Sequence, residues 1–335
     1  MNRRSLYFTD PLETAIRETS VEVSADDVLV ETRVSGVSAG TELLIYRGDA
    51  PEELPADEAL DTLGGDLSFP LRYGYAAVGD VISVGSAVDD EWLGRTVFAF
   101  APHETHFAVP PEDLLPVPDD ISAEEMALFP SVETATSLVL DGRPRLGEDV
   151  VVFGAGVVGL CTIAILGSFP LGRLVVVEPI ADRRERARGL GADVVVPPEE
   201  LDDVLDPAGD RDGADLVYEL SGRPATLDDA IGATGYDGRV VVGSWYGDKP
   251  ATLDLGASFH RDRISLASSQ VSTLAPETRG RWTHDRRAAT ALERLGALDV
   301  ASLVTHRIPF EDASEAYRLL DERADGVLQI LLTYS

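Results

Sequence analysis

Lysine is nearly missing from this chain of 335 residues: Lys249 is the only one, and 28 basic residues, otherwise all arginine, face 59 acidic ones for a formal charge of −31. A surface that binds nucleic acid gathers basic patches, and docking on anionic lipid needs them too, so neither partner is expected. The acids are spread along the whole length in blocks, as at Glu52-Glu53, Glu199-Glu200, Asp202-Asp203 and from Arg211 to Asp215. Such a coat suits concentrated salt, where a screening length of about 3 Å suppresses its self-repulsion. We expect the unfolding midpoint to rise from dilute buffer to molar KCl; melts that superpose across that range would remove this halophilic reading. Cysteine is almost absent as well. Cys161 stands alone, so no internal disulfide can form, and its place in an apolar segment suits packing. No apolar run reaches the eighteen or so residues of a membrane helix. Met1-Asn2-Arg3-Arg4 leads into a strand-like Leu6-Tyr7-Phe8 and not into a leader. A cytoplasmic protein with no membrane partner is expected.

What the chain does have is a glycine turn between two apolar runs, Val150-Val151-Val152-Phe153 followed by Gly154-Ala155-Gly156-Val157-Val158-Gly159. A second apolar run, Leu174 to Val177, ends in Glu178. The strand, turn and helix context is what gives a GxGxxG pattern its meaning. Gly154 permits the tight turn, Gly156 lets the backbone approach a pyrophosphate, and Gly159 lets the helix lie close to the strand. Backbone N–H groups at Val157 and Val158, on the first helical turn, face the phosphates. Glu178 is placed to accept from an adenosine ribose, where an extra phosphate would be opposed. NAD is therefore expected ahead of NADP, with Arg183 and Arg184 close enough to keep NADP open.

Residues 1 to about 120 read as short strands, at Val21–Val23, 27–34, 76–84 and 95–100, with a Pro-, Gly- and acid-rich loop at 48–68. Ser122-Ala123-Glu124-Glu125 is a capping-box signature that opens a helix. From Val150 the pattern alternates strand and helix, the βαβ rhythm of a parallel sheet covered on both faces. A last strand at 264–269, helices at 286–295 and 313–320, and a terminal strand at 327–333 close the chain.

This order of parts resembles the medium-chain dehydrogenase/reductase superfamily, the alcohol and polyol dehydrogenases. The shared landmarks are Gly36-Val37-Ser38-Ala39-Gly40-Thr41-Glu42, Ile45-Tyr46-Arg47-Gly48, Tyr73-Gly74-Tyr75, Glu133 and the glycine turn. The resemblance implies an α/β fold: a Rossmann doubly wound parallel sheet at 126–271, and a β-rich GroES-like catalytic domain in two pieces, 1–125 and 272–335. It also implies a homodimer or homotetramer. Zinc-containing members carry a cysteine where this chain has Ser38 or Ala39, a His-Glu pair where it has Tyr75-Ala76, and a further ligand near Glu133. One carboxylate cannot hold zinc tightly, and the four-cysteine lobe is missing, so no zinc is expected. In this the chain is most similar to a zinc-lacking branch that includes bacteriochlorophyllide-type dehydrogenases.

Without zinc, the proton of a small-molecule alcohol or ketone must be managed by side chains. Tyr75, in the place of the lost histidine, is the first candidate, with Tyr73 beside it. His103 is a candidate relay, Glu133 a relic ligand whose carboxyl would act as an acid if buried without a cation, and Thr41 and Ser38 are hydrogen-bonding groups. Ser221, Gly243, Ser244, Trp245 and Ser269, at the ends of later strands, are expected around the cofactor. The expected reaction is hydride transfer to or from a secondary alcohol/ketone or polyol-like substrate. Reduction of a conjugated enone or quinone and a nucleotide-binding protein without catalysis are the alternatives.

Overall fold

The computed structural model describes residues 1–56, 61–205 and 213–335. Residues 57–60 of the 48–68 loop, and Arg211 and Asp212 of one acidic block, lie outside the described residues. The chain forms two compact units, Met1–Pro130 with Leu295–Ser335, and Ser131–Arg294. Residues 272–294, which the resemblance assigns to the catalytic piece, thus group with the second unit.

The first unit is strand-rich. Its larger sheet runs Val304–Pro309, Gln329–Thr333, Val28–Val37, Ala77–Val84, Thr96–Ala99 and Leu114–Pro116, with His106–Val109 also paired to Val28–Val37. The strand Val28–Val37 is buried at nearly every position because it has neighbours along both edges. A smaller sheet joins Glu13–Ser20, Asn2–Asp10 and Leu71–Arg72. Its hairpin differs from the expected strand at Val21–Val23: pairing stops at Ser20 and the next residues are irregular. The helices Thr41–Arg47 and Ala313–Asp321 pack with Leu6, Phe8, Ile330 and Leu332 into one apolar cluster. The capping box forms as expected, with Ser122 Oγ accepting from the Glu125 amide and the Glu125 carboxylate accepting from the Ser122 amide at 2.8 Å.

The second unit is a six-stranded parallel sheet in the order Val194–Val196, Arg173–Val177, Asp149–Phe153, Ala214–Glu219, Thr234–Val242, Ser265–Ser268. Its central strands are continuous apolar runs because helices cover both faces, and Val151 pairs with both Val175 and Val217. The helix Val157–Leu166 is apolar on nearly all sides, as a buried helix must be. Cys161 lies within it, and burial pushes its thiol up to about 12, which keeps it an inert packing group. This is the α/β architecture expected: a Rossmann-like parallel sheet and a separate strand-rich unit. Among the described residues no helix is long and apolar enough to cross a membrane.

Candidate active site

The glycine turn has the geometry its sequence demands. Gly154 sits at φ +97°, and a Cβ there would lie 2.7 Å from the Leu220 carbonyl oxygen. A Cβ on Gly159 would meet the Gly154 oxygen at 2.2 Å, so the helix and the turn could not approach with any side chain between them. Gly156 is different, because a Cβ there would meet nothing within 4 Å. The space over it is open on the side a ligand would use. Gly156 is also the N-cap of Val157–Leu166 and offers no side-chain acceptor. The first N–H groups of that helix, at Val157, Val158 and Gly159, therefore have no intrahelical partner and suit an anion such as a pyrophosphate. The residues present fit a dinucleotide.

Glu178 lies just past Arg173–Val177 and is only 4% exposed. Its carboxylate accepts from the Ala155 amide at 2.7 Å and from the Ile180 amide at 2.9 Å. It thus braces the glycine turn itself, a role its position in the sequence did not suggest, and each oxygen retains a lone pair for a hydroxyl. Arg184 donates to the Glu178 and Pro179 carbonyl oxygens at 2.9 and 2.6 Å, while Arg183 is half-buried on the same helix, Ala181–Gly189.

At the far side of the turn, Glu219 ends the strand Ala214–Glu219 with no solvent exposure. It accepts from the Ser221 amide at 2.8 Å, from the Ser221 hydroxyl, and from the Tyr246 phenol at 2.5 Å. Ser244 Oγ accepts from the Gly222 amide at 2.9 Å, and Trp245 is 39% exposed beside it. Gly243 is held small by Leu138 and Leu220, whose side chains would lie 2.5 and 2.6 Å from a Cβ. Ser269 donates to Asp141 at 2.7 Å; burial, the largest influence on Asp141, raises its carboxyl above the usual range.

Glu133 has a counter-ion that sequence reasoning missed. Arg287 donates from Nε at 3.2 Å and from Nη2 at 3.0 Å to the same Glu133 oxygen, with both side chains buried. The condition on which Glu133 would serve as an acid, burial without a cation, is not met.

In the first unit, Tyr75 donates its phenol proton to Ser38 Oγ at 2.5 Å. The Ser38 amide donates to Glu42 at 2.8 Å, and Glu42, fully buried, also accepts from Tyr317 at 2.5 Å. His103 is fully buried, not a surface-loop residue, with Nε2 3.0 Å from Glu42 and Nδ1 2.7 Å from Ser35 Oγ. The Glu42 carboxylate is an acceptor, so Nε2 carries the proton. Gly74 explains why a glycine separates the two tyrosines: at φ +111°, its Cβ would lie 2.5 Å from the His103 ring. Tyr73 is buried, its hydroxyl donates to the Ala56 carbonyl oxygen at 3.4 Å, and its ring meets Tyr75 edge-on. Thr41 opens the helix Thr41–Arg47 and is half-buried. The structure therefore gathers Tyr75, Ser38 and His103 around Glu42, and holds Glu133 on Arg287.

Both guanidinium contacts occupy one oxygen of Glu133. Among the described residues no three His, Cys, Asp or Glu side chains are spaced to hold a metal ion.

Residues 157–297 match the family model for zinc-binding dehydrogenases. The chain is 25% identical to D-guloside 3-dehydrogenase of Escherichia coli over 93% of its length and 94% of that protein. It is 28% identical to 2-desacetyl-2-hydroxyethyl bacteriochlorophyllide A dehydrogenase of Cereibacter sphaeroides, covering 92% of this chain and 91% of that one. The fold matches that of a short chain alcohol dehydrogenase from Escherichia coli complexed with NADH, with a TM-score of 0.79 at 19% identity over 99% of both chains. Its second unit is thus similar to the zinc-binding dehydrogenase model and the chain as a whole to named dehydrogenases, and it is an alcohol dehydrogenase-like enzyme.

Proposed function

We propose that this chain is a zinc-independent dehydrogenase that prefers NAD(H) and acts on a secondary alcohol/ketone or polyol-like small molecule. The observation that carries the cofactor reading is the side-chain-free Gly156 turn braced by Glu178 in the second unit; within the first unit, the Tyr75–Ser38 hydroxyl pair supports proton transfer without a metal. When bound, the nicotinamide supplies the hydride acceptor or donor. The chain's part is to orient the substrate and move the proton. In the reducing direction Tyr75 gives its phenol proton to the carbonyl oxygen as negative charge develops there; Ser38 Oγ, its hydrogen-bond partner, holds the phenolate oxygen in place, and solvent reprotonates the half-buried tyrosine, while oxidation runs the same transfers backwards. Glu42 fixes Ser38 through its amide. Substrate class is supported by the relatives, a guloside and a bacteriochlorophyllide dehydrogenase, both named for oxidation of a small molecule. A homodimer or homotetramer is part of the proposal: the strand Ser265–Ser268 is exposed throughout at the edge of its sheet, a natural surface for strand pairing. So is a halophilic, cytoplasmic setting for the acidic coat.

A fluorescence titration in molar KCl tests the cofactor. NADH is expected to bind at least about tenfold more tightly than NADPH, the scale of one unfavourable charge contact at the ribose. A preference for NADPH would assign Arg183 or Arg184 to a phosphate, and no binding by folded protein would end the dehydrogenase mechanism.

A further inference from the structure

Glu219 has no assigned part in hydride transfer, yet its setting is unusual. The strand order turns back between Asp149–Phe153 and Ala214–Glu219, which is where a dinucleotide crosses an open parallel sheet. Glu178 lies on one side of the glycine turn, at the adenosine half. Glu219 lies on the other, next to the Leu220 carbonyl that Gly154 approaches, and so flanks the half that carries the nicotinamide. Its side chain is wholly buried, and its hydrogen-bond partners, the Ser221 amide, the Ser221 hydroxyl and the Tyr246 phenol, are donors without charge. Donors on both oxygens are what a carboxylate requires, since the ionised form only accepts. Burial first, and then the bond to Glu219, raise the Tyr246 phenol far above its ordinary range, so it stays a donor at any working pH. Among the described residues these neutral dipoles are its side-chain hydrogen-bond partners, and a buried carboxylate so held gains from a cation brought close.

We propose that Glu219 is a cofactor-selecting residue that favours the oxidised dinucleotide, its carboxylate attracting the positively charged nicotinamide ring of NAD⁺ over the neutral ring of NADH while it fixes Ser221 and Tyr246. The inference rests on the dinucleotide-binding reading above. It casts the enzyme as one built to oxidise its alcohol. The reaction that supplies its substrate then delivers the alcohol and the one that consumes its product takes up the carbonyl compound.

The test is a pair of dissociation constants, for NAD⁺ and NADH, on the wild type and on two variants in molar KCl. The wild type is expected to bind NAD⁺ as tightly as NADH or more so. Glu219→Gln, which keeps the shape and loses the charge, is expected to shift the ratio about tenfold toward NADH, the order a buried unit charge produces at an effective dielectric of about 20. Tyr246→Phe removes a donor and keeps the charge, so its ratio is expected to stay at the wild-type value. Equal weakening of both nucleotides by Glu219→Gln, or the same ratio shift in Tyr246→Phe, would make Glu219 a structural clamp and overturn the proposal. A wild type that binds NADH more than about tenfold tighter than NAD⁺ overturns it even if Glu219→Gln fails to fold. Failure of the dinucleotide reading itself looks different, because the wild type then binds neither.

Discussion

Replacing Tyr75 by Phe is expected to lower kcat for ketone reduction by about 100- to 1,000-fold, within the range that a positioned acid or base contributes. KM should change little and NADH affinity not at all, because the cofactor site proposed above is built from the second unit while Tyr75 belongs to the first. The expected loss follows from what the phenol alone can do. The Tyr75 hydroxyl is hydrogen-bonded to another candidate, Ser38, whereas the Tyr73 hydroxyl donates to a backbone carbonyl and His103 has both ring nitrogens engaged. Phe keeps the ring and its edge-on contact with Tyr73, so the melting temperature should hold. Pretreatment with a chelator should leave the wild-type rate unchanged. The substitution also separates two chemistries. Hydride delivery to a conjugated carbon of an enone or quinone places less demand on a proton at oxygen. A variant with nearly full activity would therefore move the assignment to that class.

The parts of the molecule that were legible in the sequence are those written by local physics. Gly154, Gly156 and Gly159 each answer a backbone requirement within six residues of one another, and the buried parallel strands announce themselves as unbroken valine runs. The capping box at Ser122 and Glu125 is equally local. The hairpin strand Glu13–Ser20 was missed because its residues are mostly half-buried or exposed, with no alternation to mark a face. Most of the polar contacts were illegible for a different reason. Glu42 meets His103 across 61 positions and Tyr317 across 275, and Glu133 meets Arg287 across 154. No spacing rule reaches that far. A signal did exist for Glu42, since it stands inside the Gly36–Glu42 landmark, but its weight went to the residues replacing zinc ligands and not to the acid beside them. Glu219 carried a comparable hint, an acidic side chain ending a strand that otherwise reads Leu216-Val217-Tyr218.

The ion pair between Glu133 and Arg287 leads to the largest expected change in stability. Arg287→Ala is expected to cost about 3–5 kcal/mol, the penalty for leaving one member of a buried pair without its partner, and to appear as a lower unfolding midpoint in denaturant at unchanged slope. Arg287 also donates to Ser137 and to the Thr273 carbonyl, each at the long end of hydrogen-bond range, so these add little. Glu133→Gln with Arg287→Met removes both charges and keeps both volumes close to the original. That double variant is expected to recover most of the stability, as buried pairs replaced by neutral groups generally do. If it is no more stable than Arg287→Ala, the pair is not acting through charge.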